Sequence, residues 1–169
     1  MKLLTLLRHA KSDRDLSYAT DFERPLKERG RRDAPRMGQY LADLALVPDL
    51  IVSSPAVRAQ ETTELFARAA GYRQAIRWED GVYAASSGEL FSVLRSLPDD
   101  LPHVLLVGHN PGLEECAAQL IGADAYGTAN GVRLPTGALA HLELNVGVWR
   151  DVQANCGQLL WLVIPSILA

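Results

Sequence analysis

Leu3-Leu4-Thr5-Leu6-Leu7-Arg8-His9-Ala10-Lys11 is the stretch that decides how this chain reads. Its apolar part has strand length and suits a strand covered on both faces, although periodicity alone does not separate such a run from a buried helical segment. A strand that ends in Arg8-His9 sets an anion clamp and a nucleophile or base at its carboxyl end, where open α/β sheets bind ligands. The arrangement recurs along the chain. Asp49-Leu50-Ile51-Val52-Ser53 leads through Ser54-Pro55 to Arg58, and His103-Val104-Leu105-Leu106-Val107-Gly108 ends in His109-Asn110-Pro111.

Helical patterns fill the gaps between these strands. Pro25 to Leu46 has helical spacing at Met37, Leu41 and Leu44, with Gly30 and Pro35 predicting a kink or a late start. Ser54-Pro55 suits an N-cap followed by a first-turn proline, opening a helix from Ala56 to Ala70 that stops at Gly71. Ala75 to Trp78 reads as a short strand. Ser86-x-x-Glu89 is a capping box for a helix through Leu90, Val93, Leu94 and Leu97. Asn110-Pro111 is expected to cap the helix that runs to Gly122. Ala123 to Gly131 is loop-like, and Ala138 to Leu144 and Leu159 to Pro165 look like strands around a Gly/Asn-rich turn. Alternating strands and helices predict an α/β sheet, mostly parallel, with helices on both faces and an antiparallel member from the last strands.

If the strands are parallel, Arg8, His9, Arg58 and His109 converge at one sheet edge together with two helix N-termini. Arginine presents a rigid fork of donors that matches phosphate oxygens, and helix N-termini add N–H groups and partial positive charge. The expected ligand is a phosphoryl group.

These residues resemble the histidine phosphatase superfamily, which carries Arg-His-Gly on its first strand where this chain has Arg8-His9-Ala10. The similarity is closest to the SixA-like branch of phosphohistidine phosphatases. Arg8-His9-Ala10-Lys11-Ser12, Asp21-Phe22-Glu23-Arg24-Pro25-Leu26, Ser53 to Thr62 and Val107 to Gly112 all look like that branch. The resemblance implies a phosphoglycerate mutase-like fold, a three-layer α/β/α sandwich in a single domain over 1–169. It implies that His9 attacks phosphorus to form a phosphohistidine intermediate, while Arg8, Arg58 and His109 hold the phosphoryl oxygens without a metal or other cofactor. The chemistry suits imidazole, a nucleophile near pH 7 whose phosphoramidate is labile to water. Larger relatives use a carboxylate after the third strand as general acid. Asp80 has the better register for that role and Glu79 is the alternative; both also read as solvated loop carboxylates. Asp15 lies near a phosphate-binding asparagine of mutase-type members, and a carboxylate there argues against a mutase.

Composition sets the outer bounds. The chain has 169 residues, 48% of them hydrophobic, and a net charge of −3, which gives no general nucleic-acid surface. No apolar stretch reaches membrane-span length, and Arg8, His9 and Lys11 interrupt the first apolar run too early for a signal peptide. Cys116 and Cys156 read as reduced core thiols of a cytoplasmic protein. His103 and His141 read as ordinary strand residues, and Trp149 and Trp161 as packing. Arg29-Gly30-Arg31-Arg32 reads as a solvated helix face. Lys11, Arg14 and Arg24 are candidates to line the mouth of the site; solvated surface is the better reading for the two outer ones, and Arg24 fits either place. Ser54 is assigned to its cap, and no G-x-S-x-G elbow marks a serine nucleophile. The leading expectation is a protein phosphohistidine phosphatase. The alternatives are a small-molecule phosphomonoesterase and a non-catalytic phosphate- or phosphoprotein-binding module, so the partner is a phosphorylated protein or a small phosphate compound.

Overall fold

The computed structural model describes residues 1–15, 17–123 and 131–168. The alternating pattern becomes a six-stranded sheet in the order β3-β2-β4-β1-β5-β6. Its strands are β1 (Lys2–Arg8), β2 (Leu50–Ser53), β3 (Arg77–Trp78), β4 (His103–Gly108), β5 (Leu139–Leu144) and β6 (Gly157–Val163). The first four pair in parallel, while β5 runs antiparallel to β1 and β6 antiparallel to β5. The C-terminal part therefore contributes two antiparallel strands, joined through a 3₁₀ turn (Trp149–Asp151) that buries Trp149 in the core. Positions 124–130 of the expected loop lie outside the described residues.

Alternation along the central strands assigns each side chain to a layer. Leu4, Leu6, Val104 and Leu106 face α3 (Ser87–Arg95) and α4 (Gly112–Ile121). Leu7, Leu105 and Val107 face α1 (Glu28–Asp43) and α2 (Val57–Ala70). These central side chains are fully buried, and each buried leucine contributes about 1.5–3 kcal/mol. The result is the expected three-layer arrangement. The capping box of α3 forms as read: Ser86 Oγ accepts from the Glu89 N–H, and the Glu89 carboxylate accepts from the Ser86 N–H at 2.8 Å.

Helix α1 does not start late at the residues for which a kink or a late start was expected. It starts at Glu28 and continues through both Gly30 and Pro35. Gly30 is there for contact: a Cβ would collide with the Lys11 carbonyl oxygen. Gly38 likewise lets α1 approach the Phe66 backbone of α2. A helical glycine costs about 1 kcal/mol relative to alanine, and here it permits close packing under the segment that follows β1. Arg29, Arg31 and Arg32 are exposed, as read.

On the α1/α2 side, β1 carries one polar side chain within its apolar run. Thr5 Oγ1 lies 2.8 Å from His103 Nε2 and 2.8 Å from His141 Nδ1, all three groups being buried. One hydroxyl donates to one ring and accepts from the other, so the two imidazoles hold opposite proton positions at the atoms facing Thr5. The His141 ring stacks on Trp161 with centroids 4.9 Å apart. Thr5→Val is nearly isosteric and leaves both ring nitrogens without a partner. It should lower the unfolding free energy by about 2 kcal/mol in urea titration, without moving β1.

Candidate active site

The parallel strands end together. Arg8 stands opposite Gly108 and Ser53 opposite Val107 in the ladders. The pairing runs on past both strands: the His9 N–H donates to the Gly108 carbonyl at 3.1 Å and the Ser54 N–H to the Val107 carbonyl at 3.0 Å. His9 and His109 are thereby brought side by side, with ring centroids 5.2 Å apart. Thr62 fastens α2 to this edge. Its Oγ1 accepts from the Ala10 N–H and donates to the Arg58 carbonyl at 2.6 Å. The four residues Arg8, His9, Arg58 and His109 line one cavity of about 280 Å³.

His9 Nδ1 lies 2.8 Å from the Ala10 carbonyl oxygen. A carbonyl only accepts, so Nδ1 carries the proton and Nε2 keeps its lone pair. Burial above all, with the charges of His109, Arg58 and Arg8, holds the His9 pKa at about 3, against the pull of the Ala10 bond. The ring is neutral near pH 7. His109 is held at about 4 by burial first and then by Arg58, with Asp21 opposing. Its Nε2 lies 2.8 Å from Ser54 Oγ, and its Nδ1 is buried with no partner among the described residues. With the Ser54 hydroxyl donating to Nε2, the neutral ring carries its proton on that free Nδ1.

Both arginines show the same incompleteness. Arg8 Nη1 donates to the Leu134 carbonyl at 2.9 Å. Arg58 donates through Nη1 to the Asp21 carbonyl at 2.7 Å and through Nη2 to Asp21 Oδ2 at 2.9 Å. The Nε of each is buried without a partner among the described residues. Burial lowers the Arg8 pKa, Glu114 opposes, and the Arg14 charge lowers it further. Three buried nitrogens, on Arg8, Arg58 and His109, thus have no partner among the described residues, and all three residues line the cavity with His9. Buried donors of this kind are rare unless an acceptor is meant for them.

Several residues of the site depart from their sequence reading. Ser54 is not the cap of α2, whose N-cap is Ala56; its hydroxyl accepts from the Ala56 N–H at 3.3 Å and orients His109. Asn110 does not cap α4 either: the N-cap is Pro111, after a cis Asn110–Pro111 peptide, and Asn110 Nδ2 donates to the Leu134 carbonyl. Asp80 is not brought to the cavity. It opens the 3₁₀ turn Asp80–Val82 as an exposed residue, and the turn delivers Tyr83 to the cavity instead. Glu79 caps that turn and pairs with Arg77 at 2.7 Å, which holds its carboxyl below the usual range. Lys11, Arg14 and Arg24 all line the cavity.

The carboxylate that does line it is Asp21. Asp21 accepts from Arg24 Nε at 2.9 Å, from Arg58 and from the Tyr83 hydroxyl at 3.1 Å. Burial pushes its pKa up, but Arg58, Arg24 and Tyr83 together bring it below the ordinary value. The Asp21-x-x-Arg24 spacing was legible, since one 3₁₀ turn (Asp21–Glu23) sets both against each other. The role of Tyr83 carried no local signal.

This arrangement has relatives. The model of the histidine phosphatase superfamily (branch 1) matches residues 4–82. SixA from Agrobacterium tumefaciens is 30% identical, with 97% of this chain and 98% of that one covered at a TM-score of 0.79. The chain belongs to the histidine phosphatase superfamily. It falls in the SixA-like branch, with the phosphoglycerate mutase-like fold. The protein histidine phosphatase SixA solved with tungstate shares that fold at 20% identity and a TM-score of 0.83, with 99% of each chain covered. A chloroplastic protein of Arabidopsis thaliana is 32% identical over 167 residues, covering 94% of this chain and 73% of its own. Membership gives the reaction class, that of a phosphatase. Among the described residues no helix is long and apolar enough to cross a membrane.

Two expectations follow. Ser54→Ala removes the partner that sets the His109 tautomer, so kcat/KM for any phosphorylated substrate should fall roughly tenfold to a hundredfold, with the urea midpoint little changed. All four histidines are buried with depressed pKa values, about 3 for His9 and about 4 for His103 and His109. The unfolded chain takes up these protons near pH 6.5. Stability is therefore complete above that pH and is lost as pH falls toward 4, at up to about 1.4 kcal/mol per pH unit for each imidazole. Urea titrations at pH 7 and pH 5 check the sign.

Proposed function

We propose that this protein is a protein phosphohistidine phosphatase that works through a phosphorylated His9. The observation that carries the reading is the His9 ring itself, neutral and fixed by the Ala10 carbonyl with Nε2 free among the uncommitted donors of Arg8, Arg58 and His109. His9 Nε2 attacks phosphorus, the bond to the leaving group breaks, and the donors hold the three oxygens as charge spreads over them. Water then attacks the phosphorus of phospho-His9. The Nε2–P bond breaks, inorganic phosphate departs and the water's proton is lost to solvent.

The leaving group decides between substrates. An ester oxygen leaves as an alkoxide unless an acid protonates it, which is work for a carboxylic acid that stays protonated near neutrality. Asp21, the carboxylate lining the cavity, is ionised by its arginines, and Glu79 by Arg77. The second ring nitrogen of a phosphohistidine is basic near neutral pH and takes up a proton from solvent. The ring so protonated leaves as neutral imidazole, without an acid from the enzyme. These groups therefore favour a phosphoramidate over a phosphate monoester.

Incubation with a labelled phosphohistidine peptide should leave acid-labile, base-stable label on the protein. His9→Ala should abolish both label and turnover, by at least about 10³-fold; turnover surviving in that variant overturns the reading. Asp80→Asn should leave kcat/KM for the peptide within about twofold. A large loss confined to an aryl phosphate would instead mark Asp80 as an acid for esters and favour the phosphomonoesterase.

A further inference from the structure

The cavity holds more positive charge than one phosphoryl group needs. Among the described residues Arg8, Lys11, Arg14, Arg24 and Arg58 line it against one carboxylate, Asp21. A phosphoryl group brings about two negative charges, so roughly two positive charges stay uncompensated when it binds. This excess sits in a chain whose net charge is −3, where it is a local feature and not a general basic surface.

The excess has an address. Arg58 and Arg24 are tied to Asp21, and Arg8 is anchored to Leu134 with its Nε turned to the His9 ring's surroundings. The side chains of Lys11 and Arg14 make no hydrogen bond or ion pair among the described residues. The other cations of this region differ: Lys27 pairs with Asp13, Arg29 with Asp33 and Arg31 with Glu61. Arg14 is near enough to Arg8 for its charge to lower the Arg8 pKa, so the two like charges face a common space. Lys11 is exposed, three residues beyond Arg8 in the chain, and lines the same cavity. Past Arg14 the cavity opens into a second depression of about 400 Å³ that adds Asp15, Tyr18 and Thr20. Asp15 lines that depression and not the cavity, so its carboxylate disfavours an anion there and not beside Lys11 and Arg14 in the cavity.

We infer that Lys11 and Arg14 form a second anion subsite, which takes a carboxylate carried by the substrate beside its phosphoryl group. Resting on the phosphohistidine reading, that carboxylate belongs to an aspartate or glutamate flanking the phosphohistidine. Arginine's fork receives a carboxylate in two bonds, and lysine adds a compact charge that adapts to its position. The subsite selects the substrate and takes no part in bond breaking, so its signature lies in KM.

The test compares two phosphohistidine peptides that differ only in flanking Asp and Glu against Asn and Gln. The acidic peptide should show a KM roughly tenfold lower at equal kcat, and the preference should shrink with added salt. In the double variant Lys11→Ala/Arg14→Ala the ratio of kcat/KM between the two peptides should fall to about one. Lys11→Glu/Arg14→Glu should reverse the preference. Equal KM values in the unaltered protein, or a preference that survives both double variants, overturn the subsite. If neither peptide is hydrolysed while aryl phosphates are, the phosphohistidine reading fails and the subsite is tested separately. Carboxyphenyl phosphate against phenyl phosphate then takes the place of the two peptides. A preference for the carboxylated ester that both double variants remove supports the subsite, and equal KM values overturn it.

Discussion

The parallel pairing of β1 with β4 is the constraint on which the rest depends. It places Arg8 opposite Gly108, and the next ladder bond, His9 N–H to the Gly108 carbonyl, carries the register one residue past the strands. A slip of one residue would reverse every side chain of β1 between the two helical layers. It would place Leu4 and Leu6 in the wrong core and separate His9 from His109. The burial that stabilises the central sheet and the geometry that aligns the two imidazoles are therefore one requirement. The same holds on the other side of β4, where the Val107 carbonyl receives Ser54, the residue that orients His109.

Such a site is electrostatically costly to assemble. Gathering Arg8, Arg58 and two imidazoles in a largely buried space pushes Arg8 and both imidazoles toward their neutral forms. The fold answers with different means for different groups. Arginine stays charged whatever its surroundings, so Asp21 is fastened to Arg58 and Glu114 acts on Arg8. The imidazoles are left to lose their protons. That outcome suits attack by His9, because the neutral ring is the nucleophilic form. It also means that the arginines and Lys11, and not the imidazoles, hold the positive charge of the cavity.

Much of this was legible in the sequence, and the reasons differ by element. The three central strands announce themselves as short apolar runs because a sheet covered on both faces leaves few polar positions inside, Thr5 being one that two imidazoles satisfy. Their carboxyl ends then name Arg8, His9, Arg58 and His109 directly, since chain direction alone brings parallel strand ends together. Contacts between distant segments could not be read in this way. Gly30 looked like a weakness in a helix, and only the Lys11 backbone beneath it explains the glycine. Ser54 and Asn110 fit local capping rules, but tertiary partners, His109 and the Leu134 carbonyl, claimed both side chains. Asp80 is a related case. Sequence register offered it near the site, whereas the 3₁₀ turn Asp80–Val82 leaves it exposed and brings Tyr83 to the cavity.

The exchange of Asp80 for Tyr83 bears on the chemistry as well as on the reading. Tyr83 meets His109 edge-on with centroids 5.6 Å apart and gives its hydroxyl proton to Asp21. It therefore completes the set that keeps Asp21 ionised and Arg58 in place, and its own pKa is raised by burial and by the same carboxylate. A phenol held in that bond is a weaker acid than a free one and has its proton already engaged. Among the described residues the cavity is thus rich in groups that suit a phosphoryl, and the carboxylate it holds, Asp21, is kept ionised. Under the phosphohistidine reading proposed above, such a cavity works by holding the phosphoryl group in a field of fixed donors, and the departing ring takes its proton from solvent and not from an acid of the enzyme.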